Sequence, residues 1–160
     1  MLDLPLGTSA AIIGAGPAGL SCARRLLSAG WDVSIVDKGR GPGGRLSTRR
    51  TSIGPFDHGA PYFEAKDPAF CAAVQQWQSA GHVASWEEDP ATGAPLFVGQ
   101  PSMNAFIKAE AAALGAQYGV QIAPLMGQTS DGWSFQTVTV ESFGQASVLV
   151  LATPAEQSAM

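Results

Sequence analysis

The stretch Ala10-Ala11-Ile12-Ile13-Gly14-Ala15-Gly16-Pro17-Ala18-Gly19, with the twenty or so residues after it, decides the fold. Ala10–Ile13 is a short apolar run, the pattern of a strand buried on both faces of a parallel sheet. Leu20, Ala23 and Leu27 then recur at helical spacing, with Arg24 and Arg25 off that face, and Gly30 is placed to stop the helix. Val33-Ser34-Ile35-Val36-Asp37 reads as the next strand. These pieces form a β-α-β unit, whose crossover is almost always right-handed.

Gly14-x-Gly16-x-x-Gly19 sits between that strand and that helix. Gly14 permits the tight turn, Gly16 lets a pyrophosphate approach the backbone, and Gly19 allows close packing of helix on strand. The helix N-terminus faces the phosphates with unpaired N–H groups and its positive dipole end. The glycine pattern alone also fits a plain turn opening an ordinary helix. Asp37, at the end of the second strand, is where a carboxylate accepts hydrogen bonds from an adenosine ribose, and this context favours dinucleotide binding. Lys38 and Arg40 leave a 2′-phosphate reader open. In Gly43-Gly44-Arg45 the glycine pair lets the backbone close over a cofactor and Arg45 can fork onto a phosphate.

Composition sets the bounds. The chain has 160 residues, 46% hydrophobic and 14% charged, enough for one domain with a core. Its net charge of -4 disfavours a general nucleic-acid partner. Five cations nonetheless fall between Lys38 and Arg50, an island suited to a small anionic ligand. Cys22 and Cys71 match neither a disulfide scaffold nor a metal site, so no metal is expected. No Lys or Arg precedes Arg24, and the apolar stretch before it is short and broken by glycines. A cytoplasmic protein without membrane association is therefore expected.

Further along, Asp67 and Pro68 read as cap and first turn of a helix bearing Phe70, Val74 and Trp77, ended by Gly81. Val83–Trp86 and Leu96–Val98 read as strands around a polar turn. A third helix is expected from Met103 to Leu114, with Ser102 as cap and Gly115 as stop. Strands are expected at 120–122, 133–140 and 147–151.

The glycine motif followed by Asp37-Lys38-Gly39-Arg40-Gly41-Pro42-Gly43-Gly44-Arg45 resembles the start of the flavin-containing amine oxidase superfamily. Phe56-Asp57-His58-Gly59-Ala60-Pro61-Tyr62-Phe63, Val98-Gly99-Gln100-Pro101-Ser102-Met103 and Val150-Leu151-Ala152-Thr153-Pro154 resemble segments of its renalase-like branch, in the same order. The resemblance implies an α/β fold of the two-dinucleotide-binding-domain type. A Rossmann-like FAD-binding domain with a β-meander would span 1–65 and 101–160, and a substrate domain would begin at 66–100. It implies an FAD-dependent oxidoreductase that takes hydride from a small-molecule substrate. That substrate would be a dihydropyridine isomer of NAD(P)H, with oxygen as acceptor; an amine is the alternative. An NAD(P)-binding module without redox chemistry is the reading from another class.

By the same resemblance, Gly14, Ala15, Gly16, Ala18 and Gly19 would wrap the pyrophosphate, and Asp37 would hold the ribose with Lys38 beside it. Gly44 and Arg45 would meet phosphates or ribityl, and Gly59 and Ala60 would lie near the flavin ring. The backbone of Ile122 would meet adenine, and Ala152 and Thr153 would close the far side. No catalytic residue is assigned. His58 reads as structural, Met103 as core filler, and Trp77, Trp86 and Trp133 as core, while Tyr62 and Phe63 fit either an aromatic wall or core. Relatives carry a long C-terminal half, so this chain is expected to be an N-terminal fragment. Alone, it should be poorly soluble, bind FAD weakly and show no turnover.

Overall fold

The computed structural model describes residues 8–123, 128–129, 132–139 and 142–158. They fall into two compact units, Met1–Pro42 with Ala111–Met160, and Gly43–Glu110.

The first unit is built on the expected β-α-β frame: β1 (Ser9–Ile13), α1 (Pro17–Ser28) and β2 (Asp32–Asp37). β1 and β2 are parallel, with Ile12 opposite Ile35. A short strand, Gln117–Tyr118, extends β2 in parallel, and the strand Val148–Leu151 flanks β1 on its other side. The chain therefore leaves β1 toward one side of the sheet and returns on the other, the order that creates a topological switch point. Side chains alternate faces along β1. Ala11 packs with Phe135, Ala146, Trp133, Ile122 and Leu149, whereas Ala10 and Ile12 point to the opposite face.

The expected meander is present as an antiparallel sheet of Gln128–Thr129, Gly132–Gln136 and Ser142–Ala146. The strand expected at 120–122 is displaced. Pairing with β2 is made by Gln117 and Tyr118, and Gly119, with φ +74°, then turns the chain. Ile122 keeps a single antiparallel bridge to Thr137. The strand expected at 133–140 ends at Gln136, and residue 140 lies outside the described residues. Leu27, assigned to the packed face of α1, is 40% exposed in its last turn.

The second unit contains β3 (Thr48–Thr51) and β4 (Gly54–Asp57), an antiparallel hairpin absent from the sequence reading. β5 (Phe63–Glu64), β6 (Val83–Glu88) and β7 (Pro95–Gly99) form a second antiparallel sheet with β7 central. Helix α2 (Pro68–Ser79) starts as expected, with Asp67 Oδ1 accepting from the amides of Ala69 and Phe70 at 2.9 and 3.0 Å. Helix α3 runs Ala105–Ala113, two residues later than expected, and its Ala105 amide bonds the Ser102 carbonyl rather than a hydroxyl cap.

The core of this unit is aromatic. Phe63 lies 5.3–5.9 Å from Phe70, Phe97 and Phe106, and Trp77 lies 4.7 Å from Phe106, between ring centroids. Trp77 also donates its indole N–H to Glu110 at 2.7 Å. Met103 is buried, as expected of a core filler. Trp86 is not core: it sits on an edge strand at a register shift between Ser85 and Glu88, and is half exposed against Tyr62.

Candidate functional site

In the first unit the glycine loop lies at the switch point, at the carboxyl ends of β1 and Val148–Leu151. Ala152 donates its amide to Ile13 at 2.8 Å, and Gly14 donates to Val36 at 2.7 Å, so the loop is tied to both neighbours. The three glycines then separate by what surrounds them. Gly14 has φ +111°, and a Cβ there would stand 2.6 Å from the Ala152 carbonyl oxygen. At Gly19 a Cβ would fall on the Gly14 carbonyl, so no side chain fits between helix and strand. Gly16 has φ -81° and ψ -178°, open to any residue, and a Cβ there would meet nothing within 4 Å. Two glycines are required by the chain's own packing; the third is not.

The open glycine is the N-cap of α1, and no side chain caps it. Pro17 has no amide, and the Leu20 amide already bonds the Gly16 carbonyl at 3.0 Å. The amides of Ala18 and Gly19 therefore form the first-turn donors that a phosphate could engage.

Asp37 is held rather than free. Its Oδ2 accepts from the Ala15 amide at 2.8 Å and its Oδ1 from the Gly39 amide at 2.7 Å. It ties the glycine loop to the end of β2, and each oxygen retains a further lone pair for a hydroxyl. The Ala15 amide is thus engaged by Asp37. Lys38 and Arg40 are exposed in the following loop. Thr153 adjoins Gly14, its methyl 3.4 Å from where a Gly14 Cβ would be, and its hydroxyl bonds Ser158 at 2.7 Å. Ile122 has its side chain in the core, and the bonds flanking its bridge come from Ala123 and Gln121.

One residue here was missed by the sequence reading. Tyr118 pairs with Asp37 across the parallel ladder. Its hydroxyl has no accessible surface and no hydrogen-bond partner among the described residues. Burial, and secondarily the Asp37 charge, push this phenol up to about 12.

The second unit gathers the remaining candidates. Gly44–Leu46 is a single 3-10 turn that carries Arg45 exposed. Ala60 donates to the Arg45 carbonyl at 3.0 Å, and a Cβ on Gly59 would fall on that same carbonyl. Glycine at 59 thus has a reason within the backbone. Asp57 braces this region: its two oxygens each accept from the Met103 amide at 3.1 Å, and the Thr48 hydroxyl donates to one of them. His58 stands across from Ser47, with Nε2 3.2 Å from the hydroxyl.

A cavity of about 260 Å³ opens elsewhere, lined among others by Ser9, Asp32, Ser34 and Gln145. Ser9 and Asp32 lie at the amino ends of their strands, opposite to the end where ligands bind in open α/β sheets. Among the described residues no group of three His, Cys, Asp or Glu could hold a metal, and no helix is long and apolar enough to cross a membrane.

Comparison with known proteins agrees with the frame. Residues 12–77 match the family model described as an NAD(P)-binding Rossmann-like domain. Among solved structures, a CLA-producing fatty acid isomerase from P. acnes superposes with TM-score 0.75 at 15% identity, covering 98% of this chain and 61% of that one. The tetracycline destructase Tet(55) gives 0.63 at 14%, covering 96% and 40%. The Diels-Alderase PyrE3 of pyrroindomycin biosynthesis gives 0.60 at 18%, covering 94% and 33%. The chain thus spans between a third and about three fifths of these proteins, and the likeness is one of fold. The fold is α/β with a parallel sheet and a Rossmann-like frame.

Proposed function

We propose that this chain forms the cofactor-binding part of an FAD-dependent oxidoreductase. The observation that carries the binding claim is the asymmetry of the glycines. Gly14 and Gly19 are required by Ala152 and by one another, whereas Gly16 leaves a cradle that the chain does not fill. A pyrophosphate fits that cradle, because the uncapped amides of Ala18 and Gly19 open beside it. Asp37 would orient the ribose, and Ala152 and Thr153 would border the loop. FAD would supply the redox chemistry by accepting a hydride at its flavin ring, and the protein would orient the partners and exclude water.

FAD is favoured over a nicotinamide cofactor by the Gly43-Gly44-Arg45 turn, which carries Arg45 exposed and which a simple NAD module does not need. The NAD(P)-binding description of the matched family supports the second reading, a nicotinamide-nucleotide module. A renalase-like oxidation of dihydropyridine NAD(P)H isomers rests on the resemblance of residues 56–63, 98–103 and 150–154, and an amine is the rival substrate. The test is anaerobic mixing of purified full-length protein with each substrate class. Bleaching of a bound flavin band by dihydropyridines supports the first reading. Bleaching by amines alone replaces the substrate, and a colourless protein that binds NAD replaces the cofactor.

A further inference from the structure

We infer that Tyr118 contributes a hydrogen bond to the adenosine end of the bound dinucleotide; this rests on the dinucleotide reading above. Tyr118 and Asp37 are register partners in a parallel ladder, so their side chains leave the same face of the sheet, side by side. The two loops that follow are strapped together: Gly119 donates to the Gly39 carbonyl at 2.8 Å and Val120 to the Asp37 carbonyl at 3.0 Å. The backbone of Tyr118 is thereby fixed beside that of Asp37, the residue proposed to hold the ribose.

Its hydroxyl is nevertheless left without a partner. Buried tyrosine hydroxyls usually find one, and an unmet buried donor is costly. No bond joins the hydroxyl to Asp37, whose oxygens accept from the Ala15 and Gly39 amides. The phenol stays protonated through the physiological range, so it offers a donor. The chemistry that answers it is an uncharged acceptor, such as a ribose oxygen or an adenine ring nitrogen. Because the hydroxyl is shielded from water, engaging a ligand requires a small swing of the ring. A ligand that draws the hydroxyl into a bond compensates that motion.

The experiment compares the wild-type protein with Tyr118→Phe by calorimetric titration, using ADP and inorganic pyrophosphate as probes. ADP carries the adenosine end, and pyrophosphate reports on the glycine loop alone. We expect Tyr118→Phe to weaken ADP about tenfold and to leave pyrophosphate unchanged. Equal ADP affinity in the two proteins overturns the inference. So does an equal loss for both probes, which would place the effect on the loop. If wild type binds neither probe, the dinucleotide reading itself fails and this inference falls with it. Should Tyr118→Phe melt early, Tyr62→Phe leaves Tyr118 as the sole tyrosine of these 160 residues. ADP should then red-shift its near-ultraviolet absorbance as the hydroxyl gains an acceptor, and an unchanged difference spectrum overturns the inference.

Discussion

Replacing Gly16 and Gly19 in turn should separate ligand binding from folding, although the two glycines are three residues apart. At Gly19 an added Cβ falls on the Gly14 backbone carbonyl, and backbone cannot rotate out of the way. The helix must lift from the strand, so Gly19→Ala should cost about 3 kcal/mol, the upper end of overpacking costs. For a domain of this size that lowers Tm by roughly 6–12 °C. At Gly16 the backbone is extended, with φ -81°, and a Cβ meets nothing within 4 Å. Removing a glycine's unfolded-state entropy stabilises by about 0.4–1 kcal/mol, whereas an apolar N-cap is worse than glycine by a similar amount. These effects offset, so Gly16→Val should melt within about 2 °C of wild type. The same variant should lose FAD, because its methyls occupy the cradle. Melting followed by circular dichroism, together with flavin content after desalting, reads both effects. A Gly16→Val protein with normal flavin stoichiometry would refute the reasoning, as would a Gly19→Ala protein of unchanged Tm.

Asp37→Ala should weaken ADP binding and lower stability together, by about 1–3 kcal/mol, since the Ala15 and Gly39 amides lose their acceptor; intact stability would show those bonds to be dispensable. Arg45→Ala should weaken FAD binding more at low salt than at high salt, and a salt-independent loss would contradict a phosphate contact. Asp67→Ala should cost about 1 kcal/mol by uncapping α2, checked by urea denaturation. The Tyr118 phenol is raised to about 12 in the folded chain from its ordinary value of 10. Stability is therefore independent of pH through this group below pH 10 and falls as pH rises from 10 toward 12. In Tyr62→Phe, tyrosinate absorbance should rise near pH 12; a midpoint at 10 would show the phenol to be solvated.

The β-α-β frame was legible because each signal agreed with the next: an apolar run, three glycines, an amphipathic helix and a strand ending in Asp37. The β3–β4 hairpin was not. Thr48-Arg49-Arg50-Thr51 has no apolar alternation, and the strand is largely exposed, so period-2 reading is silent there. Trp86 was misplaced for a related reason. Its spacing is that of a buried strand residue, but an edge position and a register shift turn it outward. Tyr118 lies on a two-residue strand, too short for periodicity, and its neighbour Asp37 is distant in sequence. Nothing local marks it. The motif assigns each glycine a different task, and the positions of Ala152 and the Gly14 carbonyl show which glycines the chain itself requires.

The most direct test of the central claim is a crystal structure of the protein with ADP. Density for the pyrophosphate should lie over Gly16, within hydrogen-bond distance of the Ala18 and Gly19 amides, with the ribose against Asp37. ADP seated in the cavity beside Ser9 and Asp32, with the Gly16 cradle empty, would contradict it.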